Sequence, residues 1–154
     1  MEKLKDWDPI LNRIIGACKD IKVLPVVKVP WLKELVAHER ILFTGDSAHA
    51  TSGIFSAGTS FAFEDAKALE LTLKHVYAAN SNQWTTDSVK QILTLYNTVR
   101  APHYKMIFPQ WEAYLEFFEN HQDEVAVNYS TRNIDHIVKH DVTAAFNAAV
   151  AGSE

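Results

Sequence analysis

The sequence predicts a helix-rich α/β fold in which a few short strands precede a long helical run. Two segments rich in β-branched or apolar residues, 23–29 and 40–44, lie in the first third of the chain. Beyond residue 57 the apolar residues recur at intervals of three and four, which is typical of helices. A compact α/β domain normally alternates its strands and helices. The segregated order therefore indicates the end of a larger fold.

Composition excludes several classes of protein. The 154 residues favour a single domain, and 47% apolar with 22% charged residues is the ordinary balance of a globular protein. A net charge of −4 provides no basic field for nucleic acid. The lone Cys18 allows no internal disulfide and fits a reducing compartment. With no apolar run of membrane-spanning length and no signal-peptide pattern, we expect a cytoplasmic protein.

The first third of the chain carries one helix signal and two strand signals. Asp8 followed by Pro9 is typical of a helix start, and apolar residues at helical spacing predict an amphipathic helix over 9–18. Residues 23–29 are β-branched and predict a strand that Pro25 weakens or marks as an edge. The apolar run 40–44, bounded by Gly45, predicts a buried strand.

The rest of the chain predicts helices separated by polar or proline breaks. A helix after residue 57 should bury one apolar stripe, and the break at residues 80–82 should end it. Residues 85–87 can cap the next helix, which Pro102 and Pro109 should interrupt. A last helix should precede a polar tail. The expected stripes are Ala62, Ala66, Leu69, Leu73 and Val76; Val89, Ile92, Leu93 and Tyr96; Ile107, Trp111, Tyr114 and Phe118; and Ile134, Val138, Val142 and Ala145.

The most informative segment follows the predicted strand 40–44. Gly45 and Asp46 stand at the carboxyl end of that strand, which is the side where open α/β sheets bind ligands. A carboxylate there can accept hydrogen bonds from a ribose or ribityl hydroxyl. Gly-Asp turns are also common in proteins without such a site, so Asp46 capping the following turn is an equal alternative.

Five segments together resemble one family. Residues 45–49 read Gly-Asp-Ser-Ala-His, and residues 62–66 read Ala-Phe-Glu-Asp-Ala at the interval of a second FAD fingerprint. Residues 96–102 match a Tyr-x-x-x-Arg-x-Pro helix, while 7–9 and 29–31 match the end of a substrate domain and the strand that returns from it. The chain thus resembles the C-terminal portion of the flavoprotein aromatic hydroxylases, the group that includes salicylate and para-hydroxybenzoate hydroxylases. By this resemblance residues 1–28 end a substrate domain, and residues 29–154 carry the second FAD motif and the helices.

The resemblance implies a flavin site and its chemistry. It implies that FAD is the cofactor, that NAD(P)H reduces it, and that O₂ oxygenates a small aromatic or polyketide-like substrate. It assigns Asp46 to the ribityl chain and the loop from Gly53 to Gly58 to the pyrimidine end of the flavin, through backbone N–H groups. The cofactor-binding residues implied in this way are Gly45, Asp46, Gly53, Ser56, Ala57 and Gly58.

The sequence departs from the family at two places. In the loop, Gly53 stands where the family has Pro, and Ser56 stands where it has its first Gly. Ser56 can instead be an N-cap for the helix that starts at Ala57. The chain has five glycines and no Gly-x-Gly-x-x-Gly turn, the family's pyrophosphate-binding element. We therefore expect that this chain is a C-terminal portion. Its partner is either an N-terminal chain that carries the other half of the site or further copies of this chain in a homo-oligomer.

Other chemical residues carry weaker signals. His49 can serve as an acid or base near neutral pH, although the family motif favours a turn-positioning role. His136 and His140 have a helical metal-ligand spacing, but without an evident third ligand the sequence predicts no metal site. Glu64 and Asp65 should be structural, through hydrogen bonds to backbone or to an arginine.

Three functions stay open on the sequence alone. The first is the flavin-dependent monooxygenase portion just described. The second is a flavin-free descendant that acts as a cyclase, isomerase or dehydratase through His49 and Asp46. The third is a non-catalytic binding or interaction module, whose helices expose an apolar patch to a partner.

Overall fold

A computed structural model describes residues 8–20, 22, 27, 29–51, 57–120 and 139–152 of the chain, without the side chain of Phe118. Helices dominate these residues, and two short strands form the sheet. The elements in chain order are α1 Pro9–Ala17, β1 Val36–Ala37, β2 Ile41–Leu42, α2 Asp46–His49, α3 Gly58–Ala79, α4 Thr86–Asn120 and α5 Val142–Ala151. The helix-rich α/β prediction is confirmed at this level.

Helix α1 starts as its cap residues predict. The Asp8 carboxylate accepts a hydrogen bond from the Ile10 amide at 2.7 Å, and Pro9 stands in the first turn. None of its residues is buried, and Ile10 and Ile14 are 63% and 57% exposed. The helix prediction is therefore confirmed, whereas its apolar face finds no cover within the described part of the chain.

The strands form a small antiparallel hairpin. Val36 pairs with Leu42 and Ala37 with Ile41, and the Arg40 amide donates to the Ala37 carbonyl across the turn. The prediction of a buried strand over 40–44 is wrong in extent and in burial, because only Ile41–Leu42 is strand and Ile41 is 46% exposed. In the other predicted strand, residues 27 and 29 lie outside any strand, and residues 23–26 and 28 lie outside the described residues.

Helices α3 and α4 form the main packing unit, and α5 packs against both. The buried face of α3 consists of Phe61, Asp65, Ala68, Thr72 and Val76. The predicted stripe is therefore confirmed at Val76 and in part at Leu69, which is half-buried against the core, and is wrong at Ala62, Ala66 and Leu73, which are exposed. Buried Asp65 and Thr72 explain the error, because their polarity hides the buried face from an apolar-periodicity argument.

Helix α4 runs without a break through both prolines. The predicted interruption at Pro102 and Pro109 is wrong, because the helix extends over Thr86–Asn120 with both residues inside it. Both prolines are exposed, so their rings need no space in the core. The predicted stripes of this helix are confirmed at Ile92, Leu93, Tyr96, Ile107, Trp111 and Tyr114, while Val89 is 43% exposed.

The core lies where residues 31–35, α3, α4 and α5 meet. Aromatic residues supply most of its bulk, and the Trp31 ring contacts Tyr104 edge-on and Trp111 in a tilted arrangement. The Trp31 indole donates to the Ala50 carbonyl at 2.8 Å, and the Leu32 amide donates to the Ala48 carbonyl at 3.0 Å. These bonds attach the segment around α2 to the core.

The last helix begins at a capped end. Asp141 accepts hydrogen bonds from the amides of Thr143 and Ala144, and Val142 and Phe146 are buried beneath it. The prediction of a final helix is confirmed at Val142 and Ala145, and Ile134 and Val138 lie outside the described residues. Among the described residues, no helix has the length and apolar character to cross a membrane.

Candidate functional site

A tight turn joins β2 to α2 at the segment that the sequence singles out. Gly45 adopts a φ of +55°, a left-handed conformation that favours glycine. Its carbonyl accepts the Ala48 and His49 amides, and the Ser47 hydroxyl donates to the Thr44 carbonyl at 2.6 Å. The Gly45 carbonyl and the Ser47 hydroxyl therefore provide the hydrogen bonds that stabilise the four-residue helix α2.

Asp46 projects from this turn toward the start of α3. It is exposed, and within the described part of the chain its carboxylate accepts no hydrogen bond, so it does not cap the turn there. A Cβ added at Gly58 would lie 3.7 Å from Asp46 Oδ1 and 3.3 Å from Thr51 Oγ1. Gly58 thus lets the first turn of α3 approach residues 46 and 51 closely. The result is a carboxylate beside an N-terminal helix turn, which can accept hydrogen bonds from a hydroxylated ligand.

Asp65 on α3 forms hydrogen bonds that hold this turn in place. Its Oδ2 accepts the Gly45 amide at 2.7 Å and His49 Nε2 at 2.8 Å. Its Oδ1 accepts Arg100 Nε at 2.9 Å and the Tyr104 hydroxyl at 2.6 Å. The side chain is 1% exposed. One buried carboxylate therefore ties α2 and the Gly45 turn to both long helices.

Arg100 completes the network from α4. Its guanidinium donates to Asp65, to Glu64 Oε2 at 2.8 Å through Nη1, and to the Tyr104 hydroxyl through Nη2. The group is fully buried and also lies over the Tyr104 ring, 4.7 Å from its centroid. The prediction that Glu64 and Asp65 bond backbone or an arginine is confirmed. Three segments quoted for the family resemblance thus meet in one network.

His49 lies inside this network. Its side chain is 1% exposed, its Nε2 faces Asp65, and its ring stacks on Tyr104 with centroids 4.1 Å apart. Because a carboxylate only accepts, His49 Nε2 is the donor of this hydrogen bond. The location agrees with a turn-positioning role, while a catalytic role for His49 stays a prediction.

Burial and hydrogen bonding set the charges of the network. Burial alone would raise the pKa of Asp65, but hydrogen bonds from His49, Tyr104 and Gly45 and the Arg100 charge outweigh it and lower that pKa. Burial likewise opposes ionisation of Glu64, yet hydrogen bonds from His103 and His140 and the Arg100 charge lower its pKa to about 2. Burial raises the pKa of Tyr104. The network therefore holds two carboxylates and one guanidinium in their charged forms beside a neutral phenol.

A second cluster adjoins the network at Glu64. His140 Nδ1 lies 3.0 Å and His103 Nδ1 3.4 Å from Glu64 Oε2, and the two imidazoles stack with centroids 3.5 Å apart. The sequence pairs His140 with His136, which lies outside the described residues. It misses the grouping with Glu64 and His103 because the three residues come from three elements. The one available signal is that Arg100, His103 and Tyr104 recur at helical spacing on α4.

The implied cofactor-binding residues are placed in part. Gly45 forms the turn, Asp46 projects from it, Ala57 is the buried residue that precedes α3, and Gly58 begins that helix. Gly53 and Ser56 lie outside the described residues, and the alternative that Ser56 is the N-cap of a helix starting at Ala57 is wrong, because that helix starts at Gly58. Ala57 occupies the N-cap position of α3 in the structure.

Comparison of the chain with protein-family models, curated protein sequences and solved structures finds no match. The arrangement of the site is therefore interpreted from its own geometry.

Proposed function

We propose that this chain supplies the ribityl and pyrimidine side of a flavin site in an FAD-dependent monooxygenase of the aromatic-hydroxylase type. The observation that supports the proposal most directly is the pairing of Asp46 with Gly58. An exposed carboxylate without a partner in the described chain stands beside a glycine at the first turn of a long helix. The residues present thus fit a hydroxylated chain lying across this point.

Each side chain has a separate task in this proposal. Asp46 accepts hydrogen bonds from ribityl hydroxyls, and Gly58 lets the first turn of α3 lie close to that carboxylate. The positive end of the α3 dipole favours the electron-rich pyrimidine edge. Asp65 and His49 keep the Gly45 turn, and so Asp46, in position without touching the ligand. FAD, when bound and reduced by NAD(P)H, supplies the oxygenation chemistry.

The pyrophosphate end of the cofactor requires another binding element. The proposal assigns it to an N-terminal partner chain that carries a Gly-x-Gly-x-x-Gly turn. The exposed apolar side chains of α1, Ile10, Leu11 and Ile14, are a surface on which such a chain can pack.

Co-expression tests this proposal. The chain is produced alone and together with the N-terminal half of an aromatic hydroxylase, and flavin is measured by absorption in each purified sample. We expect a yellow complex with about one flavin per chain from co-expression, and at least a tenfold (about 1.4 kcal/mol) weaker flavin affinity in Asp46→Ala. Asp20→Ala is the matched control: Asp20 is exposed and distant from Gly45 in sequence, so this variant should retain flavin. A colourless mixture without association contradicts the proposal.

A second candidate is a non-catalytic interaction module. The observation that favours it is the exposure of large apolar side chains, with Phe63 at 73% and Trp84 at 56% in addition to those of α1. Native mass and binding of a dye specific for apolar surface test it: a strictly monomeric chain that binds no dye contradicts it. The flavin-free enzyme gains no support from the geometry, because His49 is buried on Asp65 while Asp46 is exposed.

A further inference from the structure

Three metal-ligating side chains converge beside the Asp65 network. Glu64 lies on α3 and His103 on α4, and His140 is the residue before Asp141, the N-cap of α5. Their nearest ligand atoms, one carboxylate oxygen and two imidazole nitrogens, all lie within 4.8 Å of one another. None of the functions considered above uses this cluster.

The spacing suits a metal ion. Transition-metal ligands at bond lengths of about 2.0–2.2 Å stand about 3.0–3.5 Å apart in octahedral or tetrahedral geometry. Glu64 Oε2 lies 3.0 Å from His140 Nδ1 and 3.4 Å from His103 Nδ1, within that range. The two separations from Glu64 therefore match a coordination sphere, and all three ligand atoms lie within 4.8 Å of one another.

The carboxylate oxygen is also crowded with nitrogen atoms. Three nitrogen atoms face Glu64 Oε2: His103 Nδ1, His140 Nδ1 and, at 2.8 Å, Arg100 Nη1. A carboxylate oxygen has only two lone pairs with which to accept them. Arg100 Nη1 also lies 3.5 Å from His140 Nδ1, so metal binding requires the Glu64 carboxylate to turn from the guanidinium toward the ion. Asp65 and Tyr104 remain as partners of Arg100 after that change. Both histidines contact the same carboxylate, that of Glu64.

The cluster is sheltered but reachable. The side chain of His103 is 1% exposed, and those of Glu64 and His140 are 17% and 15% exposed. An ion can therefore enter from the side of Glu64 and His140, while His103 closes the inner side. Three protein ligands leave at least one position for water in a tetrahedral site.

We propose that Glu64, His103 and His140 form a binding site for a divalent transition metal of the zinc class. Two imidazoles and one carboxylate favour Zn²⁺, Co²⁺, Ni²⁺ or Cu²⁺ over Mg²⁺ and Ca²⁺, which take oxygen ligands. In the metal-free chain Nδ1 of each ring faces Glu64, so each imidazole must carry its proton on Nε2 instead and bind the ion through an unprotonated Nδ1. Because a metal lies in the plane of the imidazole that binds it, the parallel rings must open from their stack. His140, in the segment before α5, is the ring that turns.

Metal binding to the purified, metal-free chain tests the proposal. Zn²⁺ is titrated by calorimetry, and Co²⁺ by the visible absorption that reports its ligands. We expect one equivalent of either ion, no binding of Mg²⁺, and affinity at least about tenfold lower in His140→Ala and Glu64→Gln. His75→Ala, an exposed histidine on α3, is the matched control and should bind as the wild type does.

The variants also separate this site from the helical pair that the sequence suggests. Loss of binding in His103→Ala with retention in His136→Ala supports the three-residue site. The reverse pattern overturns it, as does a wild-type chain that binds neither ion or a His140→Ala chain of unchanged affinity. If His103→Ala does not fold, His140→Ala and Glu64→Gln decide the question. None of these readouts involves flavin, so this proposal and the flavin proposal fail separately.

Discussion

The Arg100 guanidinium and the Asp65 carboxylate form a buried ion pair between α4 and α3, with 2.9 Å between Nε and Oδ1. Both side chains are at most 1% exposed. Burying two charges is costly, so the pair needs the further hydrogen bonds that Gly45, His49 and Tyr104 provide. The pair therefore fixes the relative position of both long helices and the turn that carries Asp46.

Asp65→Ala should destabilise the fold strongly. Removing the carboxylate leaves the Arg100 charge buried with fewer partners, which costs about 3–5 kcal/mol in free energy of unfolding. Urea unfolding followed by circular dichroism measures the change. Asp20→Ala, whose side chain is 76% exposed, should change stability by less than about 0.5 kcal/mol.

A double-mutant cycle isolates the pair itself. If Asp65 acts through Arg100, the Asp65→Ala/Arg100→Leu variant should be more stable than the sum of the two single changes predicts. Additive effects would show that the two residues stabilise the protein independently, contrary to this interpretation.

Gly45→Ala should destabilise the fold through backbone strain. The added Cβ would lie 3.6 Å from Ala62 Cβ, an ordinary contact, so the penalty comes from the φ of +55° and should be about 1–2 kcal/mol. Gly152→Ala is the control, because Gly152 has a φ of −80° and an added Cβ there meets nothing closer than 3.5 Å. Thermal unfolding should show a lower Tm for Gly45→Ala and an equal or higher Tm for Gly152→Ala. Equal losses in both variants would contradict the strain argument.

Pro102→Ala should stabilise the protein. Pro102 lies inside α4 and is exposed, so alanine restores a backbone donor to the helix without leaving a cavity. Proline in a helix interior is about 3 kcal/mol less favourable than alanine, and part of that difference should appear as a higher midpoint of urea unfolding. Pro109→Ala, about two turns further along the same helix, provides an independent repeat. Lower stability in both variants would show that the prolines have a packing role.

Local signals in the sequence predict the helices well but the sheet poorly. The Asp8-Pro9 start and the residues 80–85 that separate α3 from α4 act within a few positions, and both are confirmed. The hairpin is missed because its turn places His38 and Glu39 at positive φ without a glycine or asparagine to indicate it. Continuity of α4 is missed because proline is a strong local breaker, whereas packing of the flanking turns outweighs that preference.

The candidate site divides in the same way. The sequence by itself determined the helix-rich class, the cap of α1, and the motif residues from Gly45 to Asp65 on which the flavin proposal rests. Only the tertiary structure decided that Asp65 faces Arg100 across 35 positions and that Glu64 faces His140 across 76. Helical periodicity and capping depend on neighbours within one or two turns. Ion pairs between elements depend on which helix faces pack together, and buried polar residues such as Asp65 conceal that face from the apolar pattern.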